Sequence, residues 1–326
     1  MRVSVVGAGA WGTALASHCA RAGLDVRMWA REPEVVTAVN DQHENTVFLP
    51  GVGLPPELAA SARLDQVLEG AEIVLVVVPS EFSRRVYSEM VASLAPEAVL
   101  VSATKGLELD TLRRMSEVAG EEAPDHPVAV LSGPSFAMEV AKAQPTAVVA
   151  ASAEHIVAQR VQRALSTRTF RVYSSEDLVG VELAGALKNV IAIAAGIVDG
   201  LGYGHNTGAA LITRGLAEIS RLGGGLGGRP ETLAGLAGLG DLVLTCTGAL
   251  SRNRRVGQGL GQGLSLAEAS AGLVAEGVRT TLAACALAER EQIEMPIARQ
   301  MKAVLYEGRS PREALDALML RSLKRE

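Results

Sequence analysis

Lys188 stands in the middle of an apolar run, VELAGALKNVIAIAAGIV, residues 181–198. An amine so placed suits proton transfer, because burial disfavours its charged form and brings the proton within reach of neutral pH. Ala184, Gly185, Ile191 and Ala192 share its helical face and are mostly small, so another surface can come close. The alternative is a lysine that snorkels from a half-exposed helix. A second polar concentration, GLGDLVLTCTGALSRNRR at 238–255, offers partners. Asp241 follows Gly-Leu-Gly and precedes apolar residues, which predicts partial burial and a need for a counter-charge; Lys188 is the candidate. Ser251 is placed to cap a helix beginning at Arg252, leaving Arg252 and Asn253 at a positive helix end where a phosphate would bind. The plainer reading of SRNRR is a solvated basic turn. Cys246, within TCT, has no histidine near in sequence and reads as a core thiol rather than a nucleophile. His18, His43, His126, His155 and His205 show no metal-ligand spacing, and no metal is expected.

Other candidates lie in the first half of the chain. Gly7-Ala8-Gly9-Ala10-Trp11-Gly12 fits G-x-G-x-x-G, after a predicted strand and at the opening of a predicted helix. In that context the pattern signals a dinucleotide: Gly7 for the tight turn, Gly9 for backbone approach to a pyrophosphate, Gly12 for helix-to-sheet packing. A glycine-rich turn without a ligand is the alternative. The end of the second strand reads VRMWAREPE, so Ala30 or Arg31 stands where an acid would bond a ribose 2′-hydroxyl. Arg31 suits a 2′-phosphate and favours NADP(H), with NAD(H) still accommodated; Glu32 is one residue further on. Lys105, in VSATKGLE, and Gly133, Pro134 and Ser135, in SGPSF, each follow a predicted strand, where open α/β sheets bind ligands.

These residues need a particular scaffold. Apolar strands are predicted at 2–7, 25–30, 72–78, 98–103, 127–132, 145–150 and 169–173. Helices are predicted near 11–22, 33–42, 81–94, 110–120 and 154–165. Strands that alternate with helices imply a largely parallel, doubly covered sheet. DQHENTVFLPGVGLPP (41–56) reads as a surface loop. From Asp177 onward the texture is Ala, Leu and Gly, opening with a helix over 177–199. The expected domains are therefore a Rossmann-type α/β unit at 1–175 and an all-helical unit at 176–326. GGGLGG (223–228) and GQGLGQG (257–263) read as loop or helix-end material and lack the Lys-Ser/Thr ending of a P-loop.

Composition narrows the function. The formal net charge is −5, from 31 basic and 36 acidic residues, so no global positive field holds nucleic acid or an anionic membrane, and an anionic ligand needs a local attractor. Cys19, Cys246 and Cys285 are odd in number and widely spaced, which fits a reducing cytoplasm. No apolar run is expected to serve as a membrane span of roughly 20 residues.

Taken in order, GAGAWGTALA, VVPS, ATKGLE, SGPSFA, VELAGALKNVIAIAAGI, TRGLAE, GLGDLVLTCTGALSRNRR and the EG of 276–277 resemble the bacterial NAD(P)-dependent glycerol-3-phosphate dehydrogenases, from residue 3 to beyond 310. The resemblance implies a Rossmann domain, a helical domain and an active site between them. It also implies cytoplasmic, reversible reduction of dihydroxyacetone phosphate to sn-glycerol 3-phosphate, which feeds phospholipid synthesis and lipid metabolism; a homodimer is left open. By motif, Lys188 resembles the general acid/base, and Lys105 resembles a residue touching both substrate and cofactor. Gly133, Ser135, Asp241, Ser251, Arg252 and Asn253 resemble substrate contacts. Ala10, Trp11, Arg31, Ala137, Arg252, Val274 and Glu276 resemble cofactor contacts. Serine is common at position 10 in the family, so Ala10 offers backbone only. Two rivals remain at this point. A 3-hydroxy-acid dehydrogenase also uses a Lys-Asn pair like Lys188-Asn189 but needs no phosphate site. A non-catalytic NADP(H) sensor has no use for Lys188 or Asp241.

Overall fold

The computed structural model describes residues 1–322. The chain divides into two compact units, one formed by Met1–Lys105 with Arg113–Val181, the other by Gly106–Leu112 with the chain from Glu182 onward. The division falls at Val181, inside the first turns of the helix Leu178–Gly200, rather than at 175.

The first unit is built on strands β1 (Arg2–Val6), β2 (Asp25–Trp29), β3 (Ala59–Ser61), β4 (Ile73–Val76), β5 (Val99–Ser102), β6 (Val128–Ser132), β7 (Thr146–Ala151) and β8 (Phe170–Ser175). Their order is β3-β2-β1-β4-β5-β6-β7-β8. Pairing is parallel from β3 through β6, antiparallel between β6 and β7, and parallel again between β7 and β8. The sheet reverses its winding between β1 and β4, and open α/β sheets bind ligands beyond the carboxyl ends of such strands. Successive side chains of a strand point to opposite faces, and here both faces are covered. Val3, Val5, Ile73, Leu75, Val99 and Val101 join one core with Leu15, Val35, Val39, Val157 and Val161 from helices. Val6, Val74, Val76 and Leu100 join the other with Leu68, Val86, Met90 and Val118. This is why the strands read as unbroken apolar runs.

The outer edge of β8 is closed by its own preceding residues. Phe170 exchanges backbone and side-chain bonds with Thr167, while Val172 N donates to Ser166 Oγ (3.3 Å) and Val172 O accepts from Gln162 Nε2 (2.9 Å). An edge so occupied offers little to a further strand.

Four expectations need correction. β3 was not foreseen, because Ala-Ala-Ser carries no β-branched or aromatic residue. The helix expected at 110–120 is Met115–Glu122, since Leu112 sits at a left-handed φ of 59° that no helix admits. The segment 41–56 is more than a surface loop: Asn45, Leu49, Val52 and Leu54 are buried. The helix Leu178–Gly200, at 23 residues and a mean hydropathy of 1.7, is long and apolar enough to cross a membrane; its most apolar window is wholly buried in the fold, as befits a core helix.

The second unit is helical, with Leu178–Gly200 as its central element. The helix Arg252–Gly261 lies against it with almost no side-chain padding. A Cβ at Gly196 would strike the carbonyl of Arg254 and come within 2.7 Å of Gln258 N. A Cβ at Gly257 would strike the carbonyl of Ile193, and one at Gly261 would come within 2.6 Å of the Ile197 oxygen. Gly257 and Gly261 thus lie in the closing turns of the helix Arg252–Gly261 and form its packing surface, and Gly223–Gly225 end the helix His205–Gly225, so both stretches are helix-end material.

Candidate active site

In the first unit the glycine turn joins β1 to the helix Ala10–Arg21. Gly7 has φ +114°, and a Cβ there would lie 2.7 Å from the Val77 oxygen beyond β4. A Cβ at Gly12 would strike the Gly7 carbonyl, so the helix packs against its own entry turn. Gly9 differs: a Cβ would meet nothing within 4 Å, so the space beside it is open. Gly9 is the helix N-cap without a side-chain cap, and the first turn carries no acidic residue, which leaves backbone N–H groups and the dipole end for an anion. Trp11 adds an observation of its own. Its Nε1–H is buried with no partner among the described residues. A dinucleotide pyrophosphate and its sugar supply acceptors of the kind these groups lack.

Asn45 braces the turn from beneath. Fully buried, it donates from Nδ2 to the Ala8 carbonyl and to Thr13 Oγ1, both at 2.8 Å, while its Oδ1 accepts from Phe48 N at 3.0 Å. Nothing local in the sequence signals this role, because the partners lie more than thirty residues away.

Arg31 follows the buried Ala30 at the end of β2, and Gly7 N donates to the Trp29 carbonyl alongside. Its guanidinium bonds Glu32 Oε1 from Nε (3.1 Å) and Nη2 (2.9 Å). Past β5, Lys105 Nζ donates to the Gly133 carbonyl at 2.9 Å and lies 3.4 Å from Ser135 Oγ, which itself donates to Gly133 O. The ends of β5 and β6 therefore bring Lys105, Gly133 and Ser135 together. Ala137 opens the short helix Ala137–Ala141 just beyond.

In the second unit Lys188 does not snorkel. It is 5% exposed, and Nζ donates to Asp241 Oδ1 at 2.5 Å and to Thr245 Oγ1 at 2.7 Å. Asp241 is 1% exposed, so the pair is held away from water. Thr245 donates its own proton to the Asp241 carbonyl at 2.6 Å, which turns the hydroxyl lone pairs toward Lys188. Thr245 escaped the sequence reading; its one-turn spacing from Asp241 on the helix Asp241–Thr247 is the signal that would have found it. A π-type turn over Leu236–Gly240 aims Asp241, with Gly240 N donating to the Gly235 carbonyl at 3.0 Å. Such turns often mark functional positions in helices. Cys246, next in sequence, is buried, and burial pushes its thiol up to about 12, so it stays protonated near neutrality.

Ser251 caps the helix Arg252–Gly261 through Oγ, which accepts from Arg254 N at 3.2 Å. Arg252 occupies the first helical position, is exposed, and has the Glu276 carboxylate as a neighbouring charge. Arg254 Nε forms an ion pair with Asp199 Oδ2 at 2.7 Å, which ties this helix to Leu178–Gly200. Of the basic cluster, Arg254 is thus structural. Asn253 is buried and bridges helices: Nδ2 donates to Asn189 Oδ1 and Oδ1 accepts from Gly277 N, both at 2.9 Å. Glu276 begins the helix Glu276–Arg290, and Val274 is exposed just before it.

Comparison with known proteins identifies the family. The family model described as NAD-dependent glycerol-3-phosphate dehydrogenase N-terminus matches residues 2–158, and that described as the C-terminus of the same family matches 177–316. The chain is 54% identical over 330 aligned residues to glycerol-3-phosphate dehydrogenase [NAD(P)+] of Citrifermentans bemidjiense, covering 100% of this chain and 98% of that one. It is 54% identical to the protein of that name from Koribacter versatilis, covering 98% and 97%. A crystal structure of glycerol-3-phosphate dehydrogenase from Coxiella burnetii superposes with a TM-score of 0.95 at 43% identity, covering 98% of this chain and 99% of the other. The chain belongs to the NAD-dependent glycerol-3-phosphate dehydrogenase family.

Proposed function

We infer that the protein is an enzyme that reversibly reduces dihydroxyacetone phosphate to sn-glycerol 3-phosphate with NADPH or NADH, supplying glycerophospholipid synthesis. The observation that carries this reading is the buried Lys188–Asp241–Thr245 cluster, in the same unit as a capped helix start that bears Arg252. When bound, the nicotinamide supplies the hydride that reaches the substrate C2 carbon. Lys188 holds a proton at Nζ and delivers it to the oxygen of that carbonyl as negative charge develops there; in the reverse direction it takes the proton from the hydroxyl. Asp241 and Thr245 fix the ammonium, so little reorganisation is needed when charge moves. Lys105, with Gly133 and Ser135, is assigned to binding of substrate and cofactor. Ser251, Arg252 and Asn253 hold the phosphate: N–H groups and a planar fork suit its oxygens. Gly7, Gly9, Ala10, Trp11 and Gly12 hold the pyrophosphate side of the cofactor. Arg31 favours NADPH. Ala137, Arg252, Val274 and Glu276 complete the cofactor contacts.

All three cysteines are free, which suits the reducing cytoplasm where we place the reaction. One experiment tests the assignment: NADPH oxidation followed with dihydroxyacetone phosphate, dihydroxyacetone and a 3-keto acid as substrates. Turnover with the phosphorylated ketone alone supports the reading. Preference for the 3-keto acid, or no turnover with any of them, overturns it.

A further inference from the structure

Arg31 and Glu32 stand where the ribose end of a dinucleotide is read in this type of sheet. Both hydrogen bonds of the Arg31 guanidinium go to one carboxylate oxygen, Glu32 Oε1. Arg31 has no other partner among the described residues, and its side chain is 64% exposed. Glu32 occupies the N-cap position of the helix Pro33–Gln42, yet its side chain caps nothing; the backbone carbonyl alone accepts, from Val35 N and Val36 N. The Glu32 carboxylate is therefore free of any capping duty, and its contact is with the residue assigned to the 2′-phosphate.

We propose that Glu32 sets the discrimination between NADPH and NADH, as an internal anion that competes with the 2′-phosphate for Arg31 and that serves as acceptor for a 2′-hydroxyl. This rests on the dinucleotide reading above and deepens it. Glu32 holds the Nε/Nη2 edge of Arg31, so a 2′-phosphate bound there either displaces the carboxylate or sits beside it as a second anion, and each costs NADPH affinity. NADH brings no anion there. It leaves the Arg31–Glu32 pair in place and offers a hydroxyl donor to a carboxylate, the pairing an acid normally provides in this fold. One dipeptide thus serves both cofactors, with Arg31 and Glu32 each recognising one and Glu32 tempering the first.

The test is a set of dissociation constants for NADPH and NADH, read from nicotinamide fluorescence at low salt, for the wild type, Glu32→Gln, Arg31→Ala and the double variant. Glu32→Gln should tighten NADPH about fivefold, the scale of releasing an exposed ion pair. It should weaken NADH about tenfold, the scale of one hydrogen bond to a charged acceptor. In the Arg31→Ala background the same substitution should leave NADPH unchanged. The proposal is overturned if Glu32→Gln leaves the NADPH:NADH ratio unaltered, or if it tightens NADPH equally with and without Arg31, since the carboxylate would then act as a bulk charge. If Arg31→Ala itself weakens both nucleotides alike, the assignment of Arg31 to the 2′-phosphate fails, and this proposal fails with it. Arg31→Ala selective against NADPH with an inert Glu32→Gln removes this proposal alone.

Discussion

Lys188 Nζ and Asp241 Oδ1 lie 2.5 Å apart although fifty-three residues separate them in sequence, and both side chains are sealed from solvent. A buried ammonium is stable only with such a partner. Asp241→Asn should therefore strand the charge, and Lys188 should release its proton more readily. The expected result in the reductive direction is a loss of about 10²–10⁴ in kcat at neutral pH. Part of that loss should return as pH is lowered. A pH–rate profile with the same midpoint as the wild type would mean that Asp241 does not act through Lys188.

In the proposed function Arg252 serves as the local attractor that an acidic protein needs for an anionic substrate. Arg252→Ala should raise KM for dihydroxyacetone phosphate and lower kcat, with a combined loss of about 1.5–3 kcal/mol, the scale of a hydrogen bond between charged groups. Arg252→Lys should recover only part, because a point charge does not reproduce the fork. Steady-state kinetics with unphosphorylated dihydroxyacetone provide the control: an equal loss on both substrates would detach Arg252 from the phosphate.

Asn45 holds the glycine turn through the Ala8 carbonyl. Asn45→Ala leaves the Ala8 carbonyl with only the 3.2 Å bond from Thr13 Oγ1 and deprives Phe48 N of its side-chain acceptor, at a cost of about 1–3 kcal/mol. Cofactor affinity, measured by fluorescence titration, should fall more than KM for dihydroxyacetone phosphate rises at saturating NADPH. Unchanged cofactor affinity would make Asn45 a loop anchor only.

Glu218 gives the second unit a pH dependence. Burial pushes its carboxyl up to about 7, against the pull of hydrogen bonds from Ile297 N and Ala298 N and of the charges on Arg221 and Arg321. The folded state then holds a proton that the unfolded state releases at lower pH. The contribution is fully present below about 4.5 and is lost as pH rises through about 7, on the order of 3 kcal/mol. Glu218→Gln should flatten that part of the curve of thermal stability against pH. A curve parallel to the wild type between pH 5 and 7 would assign the slope to other groups.

The scaffold was legible where burial on both faces made strands continuously apolar, as in β1, β4 and β5, and where glycines had a strand before them and a helix after. β3 was illegible because its place comes from pairing with β2 rather than from its own residues. Lys188 was visible because an amine in an apolar run is anomalous. Thr245 and Asn45 were not, since each is an ordinary polar residue until its distant partner is in place. The glycines at 257 and 261 were legible as helix-end residues but not as a packing surface, because that surface is defined by the distant carbonyls of Ile193 and Ile197.

The central claim is that Lys188 carries the proton. Its most direct test is the single-turnover rate of NADPH oxidation by Lys188→Ala with saturating dihydroxyacetone phosphate, alongside NADPH affinity and circular dichroism. The account predicts a folded protein with wild-type cofactor affinity and a rate at least about 10²-fold lower, the floor for losing a positioned acid. A variant that binds NADPH normally and keeps more than about a tenth of the wild-type rate would contradict it, because a positioned acid is worth more than that.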